Sequence, residues 1–142
     1  MDAMAISLSG LDVEWRRLEV IAENLANVNT TRTAEGGEFH PRRLVSGPNP
    51  QFAALLQDAG GAPAPSGVQV MDIQDQTNPV TRSYDPNHPH ADADGFITRP
   101  NIDQAAEMTL MIRTSRSYEA NLAALSIARD MYLRALDIGK TP

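Results

Sequence analysis

The chain has 142 residues, no cysteine, and 12 basic against 18 acidic side chains for a formal net charge of −6. Without thiols it has no disulfide framework, no thiolate nucleophile and no thiolate metal site. The acidic balance opposes capture of nucleic acid, which needs a concentrated basic face; Arg42-Arg43 is only a small cluster. No run of 18 apolar residues occurs, and the Met1-Asp2 start lacks basic residues ahead of an apolar core. Neither a membrane-spanning helix nor an ordinary secretory signal is therefore expected, and no direct membrane insertion.

In chain order, residues 3–28 read as a long helix. Met4, Leu8, Leu11, Trp15, Leu18, Ala22 and Leu25 alternate spacings of four and three, the 3.5-residue period of a coiled-coil seam. With Leu8 at a and Leu11 at d, Ile6, Val13 and Val20 fall at f, pointing away from the seam, so a second surface must cover them. Asp2 reads as the N-cap, and the Asn27-Val28-Asn29-Thr30-Thr31 run places the end near Val28.

The middle is irregular. Glu35-Gly36-Gly37-Glu38 reads as a turn and Phe39 to Val45 as extended chain broken at Pro41. Asn49-Pro50 offers a cap for a short helix over 51–57 that buries Phe52, Leu55 and Leu56, and residues 60–67 are a linker by composition. Val68 to Ile73 and Val80 to Tyr84 read as strands, expected to pair with each other across a wide loop over 74–79. Prolines make 85–90 a rigid loop.

Residues 102–138 read as a second long helix, about 55 Å end to end. Met108, Met111, Ser115, Tyr118, Leu122, Leu125, Arg129, Tyr132 and Leu136 form its seam, and Leu110, Ser117, Ala124, Met131 and Ile138 a second line seven apart. Asn101 with Gln104 gives a capping-box pattern, and Gly139 a stop. The predicted fold is mainly α. Helices in segments 1–30 and 101–142 pair as an antiparallel coiled coil, and 31–100 forms a small irregular or β-hairpin middle. The apolar residues of both seams, together with Ile6, Val13, Val20, Leu110, Met131 and Ile138, are expected to form the assembly interface.

Signals for chemistry are weak. His88, His90, Asp92 and Asp94 form the one cluster with metal-ligand character, but in a calcium-loop register Asn101 falls where a bidentate Glu is needed, and prolines block the entering helix. A solvated, turn-forming loop is the better reading, and a hydrolase built on His88, His90 and Asp92 the remotest. No Ser sits on a glycine-flanked elbow, and Gly36-Gly37 lacks the context of a phosphate loop. Trp15 is read as a packing anchor. No catalytic residue, metal or cofactor is expected.

Leu8-Ser9-Gly10-Leu11 followed by the run from Val20 to Thr30 resembles the N-terminal signature shared by bacterial flagellar rod and hook proteins. The resemblance rests on Ser9, Gly10, Leu11, Asn24, Leu25, Ala26, Asn27, Asn29 and Thr30. Thr30 to Gly37, Tyr84 to Phe96, Pro100-Asn101 and the stretch from Ser115 to Asn121, with Tyr118, Glu119 and Asn121, are similar to the FlgC family of proximal rod proteins. Leu8 and Trp15 are larger than that pattern has, and His90 stands at a usually acidic position.

The resemblance implies a structural protein. Its terminal helices pair and pack with other flagellar rod subunits and basal-body proteins into a hollow rod, after uncleaved passage through the flagellar type III export apparatus to the periplasm. The uncovered helix faces suggest terminal helices that are poorly ordered before incorporation. The alternative is a cytoplasmic coiled-coil binding module or export adaptor.

Overall fold

A computed structural model describes residues 3–49 and 67–138. The expected helix over 51–57, most of the 60–67 linker, and the expected caps at Asp2 and Gly139 lie outside the described residues. The elements are α1 (Ala3–Ala26), β1 (Arg42–Pro48), β2 (Val68–Asp75), β3 (Val80–Tyr84), β4 (Phe96–Pro100) and α2 (Gln104–Ile138).

The two helices run antiparallel. Asn24 reaches Glu107, the rings of Trp15 and Tyr118 lie 6.3 Å apart, and Gly10 faces Asn121, so positions rise on α2 as they fall on α1. The expected period is present and half of the expected seam is kept, since Leu11, Leu18, Leu25, Met111, Tyr118 and Leu125 are buried or half-buried. The alternate positions give way to Ile21, Glu107, Thr114 and Asn121, each one residue earlier. On α1 the buried line runs through Gly10, Ile21 and Asn24, while Leu8, Trp15 and Ala22 are exposed. On α2 it runs through Glu107, Met111, Thr114, Tyr118, Asn121 and Leu125, while Met108 and Leu122 face outward. Small and polar groups interlock at short range where Gly10 meets Asn121 and Asn24 meets Glu107, among Ile21, Met111, Tyr118 and Leu125, while Leu8, Trp15, Met108 and Leu122 are left outside.

Val13 and Val20, expected at outward f positions, lie in the core with Leu44, and Val70 packs against them. Their cover is the β1–β2 hairpin of the same chain. It lies lengthwise on α1: Asn24 holds Arg42, Arg17 reaches Ser46, and Ser9 holds Val68. Fifteen helical residues advance about 22 Å and six strand steps about 20 Å, so the two run side by side without remainder. Burial of each of these aliphatic side chains contributes about 1.5–3 kcal/mol.

The strand pairing differs from expectation. β2 pairs with β1, from Arg42 opposite Asp75 to Pro48 opposite Val68, and β3 pairs with β4, both antiparallel. Gln76 extends the first ladder by donating its N–H to the Pro41 carbonyl at 2.8 Å, and the chain then turns at Asn78, whose φ of 54° is left-handed. Asn tolerates that conformation. Residues 76–79 thus pass the chain from one sheet to the next instead of closing a hairpin between β2 and β3.

The 85–95 loop joins β3 to β4 and is closed by Asp92, which accepts the N–H of Phe96 at 2.8 Å and of Asp94 at 3.0 Å. Thr31 and His90 meet at 2.8 Å, fastening this hairpin to the segment after α1. The cap of α2 is Asp103, not Asn101: its Oδ1 accepts the N–H groups of Ala105 and Ala106 at 3.0 and 3.1 Å. Asn101 is drawn away to close the second sheet, bonding the carbonyls of Asn78 and Pro79 at 3.1 and 2.8 Å.

Candidate assembly surface

The residues of the N-terminal signature fasten this arrangement. The Asn24 side chain, 1% exposed, accepts the Arg42 N–H at 2.9 Å and donates to the Arg42 carbonyl at 2.8 Å, pairing with β1 as a strand would. Its amide also approaches the buried Glu107 carboxylate at 3.4 Å, as does that of Gln76 just after β2, so one polar cluster joins both helices and the first hairpin. Glu23 and Arg42 form an ion pair at its edge.

Gly10 lets the helices close up, because a Cβ there would stand 2.8 Å from the Asn121 amide. Ser9 donates to the Ile6 carbonyl at 2.7 Å and accepts the Val68 N–H at 3.1 Å, while Gly67, at φ 78°, leaves no room for a Cβ beside that hydroxyl. Asn27 closes α1, donating to the Glu23 carbonyl at 2.9 Å and accepting the Thr30 hydroxyl at 3.0 Å. Leu11 is buried, Leu25 half-buried, and Ala26, Asn29 and Glu119 are exposed.

The residues expected to make contacts between molecules divide into three groups. Leu11, Val13 and Val20 are buried inside the chain; Met4, Ile6, Leu18, Leu25, Leu110, Met111, Tyr118 and Leu125 are half-buried. Leu8, Trp15, Ala22, Met108, Leu122, Met131, Tyr132, Leu136 and Ile138 are exposed. The expectation for Val13 and Val20 is corrected: their apolar surface is already used within the molecule, at 2% and 6% exposure.

Among the described residues, whose exposed apolar side chains also include Met71 and Ile73 on β2 and Ile112 and Ile127 on α2, two surfaces stand out. Leu8 and Trp15, 60% and 54% exposed, border an open groove with Tyr118, and Trp15 is held there by donating its indole N–H to Glu19 at 3.0 Å. The other is the end of α2. In the antiparallel register, residues beyond about 130 pass Ala3, the first described residue of α1, and every residue from Arg129 to Ile138 is exposed.

Sequence reasoning missed Leu44, Gln76, Glu107 and the main chain of Arg42. Glu107 carried a signal in retrospect, since it lies three and four residues before Leu110 and Met111 on one helix face.

Asp92 is the described group with a displaced acidity. The Phe96 N–H, then the Arg82 side chain and the Asp94 N–H, hold its carboxyl below the ordinary carboxylate value. Its oxygens are thereby committed to the loop. No group of three or more His, Asp or Glu among the described residues is placed to hold a metal ion. No helix among them is long and apolar enough to cross a membrane.

Residues 4–32 match the family described as flagella basal body rod protein, and residues 93–138 the C-terminal domain described for flagellar basal body rod FlgEFG proteins. These matches cover α1 with its closing turn, and the 93–138 stretch that holds β4 and α2; they define a flagellar basal-body rod protein. Flagellar basal-body rod protein FlgC of Bacillus subtilis is 36% identical, with 97% of each chain covered. That of Borreliella burgdorferi is 33% identical, covering 94% of this chain and 93% of its own, and that of Salmonella typhimurium 32%, covering 95% and 94%. The chain belongs to the FlgC family, whose place is the flagellar basal body, and is a structural rod subunit associated with other rod components.

Proposed function

We propose that this chain builds a hollow helical rod by contacts between unlike surfaces of neighbouring subunits, and that the rod transmits torque. One observation carries the reading: after the helices and hairpin have packed, Leu8, Trp15 and the end of α2 still present apolar surface to solvent. Contacts that join two different patches repeat head to tail, and where the rotation between copies does not close into a ring they generate an open helical polymer. The work is done by packing alone, with no catalytic step, nucleic acid or membrane insertion.

The subunit reaches the periplasmic rod through the flagellar type III export apparatus, without a cleaved signal peptide. Electron microscopy of basal bodies from a strain lacking this chain tests the proposal. Rods should be missing and should return with the wild-type gene; intact rods in the deletion strain would overturn it.

A further inference from the structure

A cavity of about 330 Å³ lies between α1, β1 and α2, far along the molecule from the exposed end of α2. Val20, Leu44 and Leu110 give it an apolar floor, and four arginines line it in a chain whose net charge is −6. Two of these have partners: Arg42 pairs with Glu23, and Arg17 with Glu14 and Ser46. Arg43 and Arg113 make no ion pair among the described residues. Glu107, also lining the cavity, is engaged by the amides of Asn24 and Gln76. An apolar floor with two free guanidinium groups fits a helix carrying an aliphatic side chain between carboxylates.

The chain contains such a helix. On the exposed end of α2, Asp130 and Asp137 are seven residues apart and share a face with Leu133, which is 47% exposed. Neither carboxylate makes an ion pair among the described residues. This end cannot reach its own cavity, because Leu133 lies about 35 Å along the same straight helix from Leu110.

The geometry points to a second copy of this chain as the occupant: Leu133 of one molecule enters the cavity of the next, and Asp130 and Asp137 face Arg43 and Arg113. The inference rests on the rod reading and gives it a head-to-tail contact that repeats without closing. Charge complementarity chooses the partner, and the aliphatic side chain fills the floor.

The test uses full-length protein in sedimentation experiments across salt concentrations, with circular dichroism to check folding. One variant carries Asp130→Arg and Asp137→Arg, the other Arg43→Asp and Arg113→Asp; all four positions are exposed. Each variant alone should associate more weakly than wild type by on the order of tenfold or more, most clearly at low salt. An equimolar mixture should regain association, because every contact between unlike variants joins opposite charges. Leu133→Ala should weaken association without the salt dependence.

Unchanged association in both charge variants, or no recovery on mixing, overturns the inference. So does a wild-type chain that stays monomeric at high concentration, since a second copy is then not the occupant. In each case rods that still depend on the chain in cells leave the rod reading intact. Failure of both would remove the reading itself.

Discussion

Asn24 binds both main-chain polar groups of Arg42, accepting its N–H at 2.9 Å and donating to its carbonyl at 2.8 Å. A side-chain amide has the donor and acceptor spacing of a backbone unit, so a helix residue completes the edge of a strand. The consequence is a joint between α1 and β1 that apolar packing alone would leave free to slide.

Replacing Asn24 by Ala leaves the Arg42 N–H without its side-chain partner and its carbonyl with only the long bond from Gln76 at 3.5 Å, in a partly buried place. The expected loss is about 2–4 kcal/mol, read from the urea midpoint of the dilute chain. An unchanged midpoint would mean that water replaces the amide without cost.

Gly10 and Asn121 should be coupled. Ala exceeds Gly in helix propensity by about 1 kcal/mol, yet a Cβ at Gly10 meets the Asn121 amide at 2.8 Å, so Gly10→Ala should destabilise the wild-type chain. In an Asn121→Ala background the same substitution should stabilise. Thermal denaturation of the four proteins in the cycle measures the coupling, and additivity would refute the contact.

Val13 and Leu8 separate folding from assembly. Val13→Asp puts a carboxylate against Val20 and Leu44, and should cost several kcal/mol in the isolated molecule. Leu8→Asp, at an exposed position, should change monomer stability by no more than about 0.5 kcal/mol. It should nevertheless abolish motility in a complemented deletion strain. Wild-type swarming by the Leu8 variant would remove that face from the assembly surface.

Hydrogen exchange should be graded along the helices. Amides of α1 from Val13 to Asn24 lie under the hairpin and against α2, and should be protected in the dilute chain; those from Arg129 to Ile138 should exchange rapidly and gain protection in rods. Uncovered apolar surface lies on both helices, at Leu8 and Trp15 as well as on α2, but only the stretch from Arg129 to Ile138 is exposed at every residue. Equal protection along α2 in the dilute chain would contradict this.

The Asp92 loop should depend on pH. Its carboxyl titrates below the ordinary value of about 3.9 because its charged form accepts the N–H groups of Phe96 and Asp94 and faces Arg82. A folded-state value below the unfolded one contributes stability above the unfolded value, and that contribution is lost as pH falls through the folded one. NMR amide signals of Asp94 and Phe96 should stay constant from neutral pH to about 4 and shift below it. In Asp92→Asn that transition should be absent.

The period of both helices was legible in the sequence, and so was the family, because Gly10, Asn24 and Asn27 have few substitutes for what they do. The phase was legible only in part. When a helix carries apolar residues on most sides, periodicity defines several stripes equally well, and here the stripe with Gly10 and Asn24 won because small and polar groups interlock where Leu8 and Trp15 would hold the helices apart.

Strand pairing was hidden for a related reason. Arg42-Arg43-Leu44-Val45-Ser46-Gly47-Pro48 has little strand propensity of its own, and exists as β1 because Asn24 holds its start and Leu44 packs on Val13 and Val20. The expected cap, Asn101, is drawn off by its bonds to Asn78 and Pro79, and Asp103, which the sequence reading passed over, caps α2 in its place.

Among the described residues the section of the molecule changes along its length: α1, the hairpin and α2 lie side by side at one end, and at the other α2 runs on past the start of α1. Bending stiffness rises steeply with the width of a beam, so the layered end is the stiff part of the subunit and the overhanging turns of α2 the compliant part. Under a twisting load the strain would collect in those last turns, where a neighbour's support decides whether the joint yields or holds.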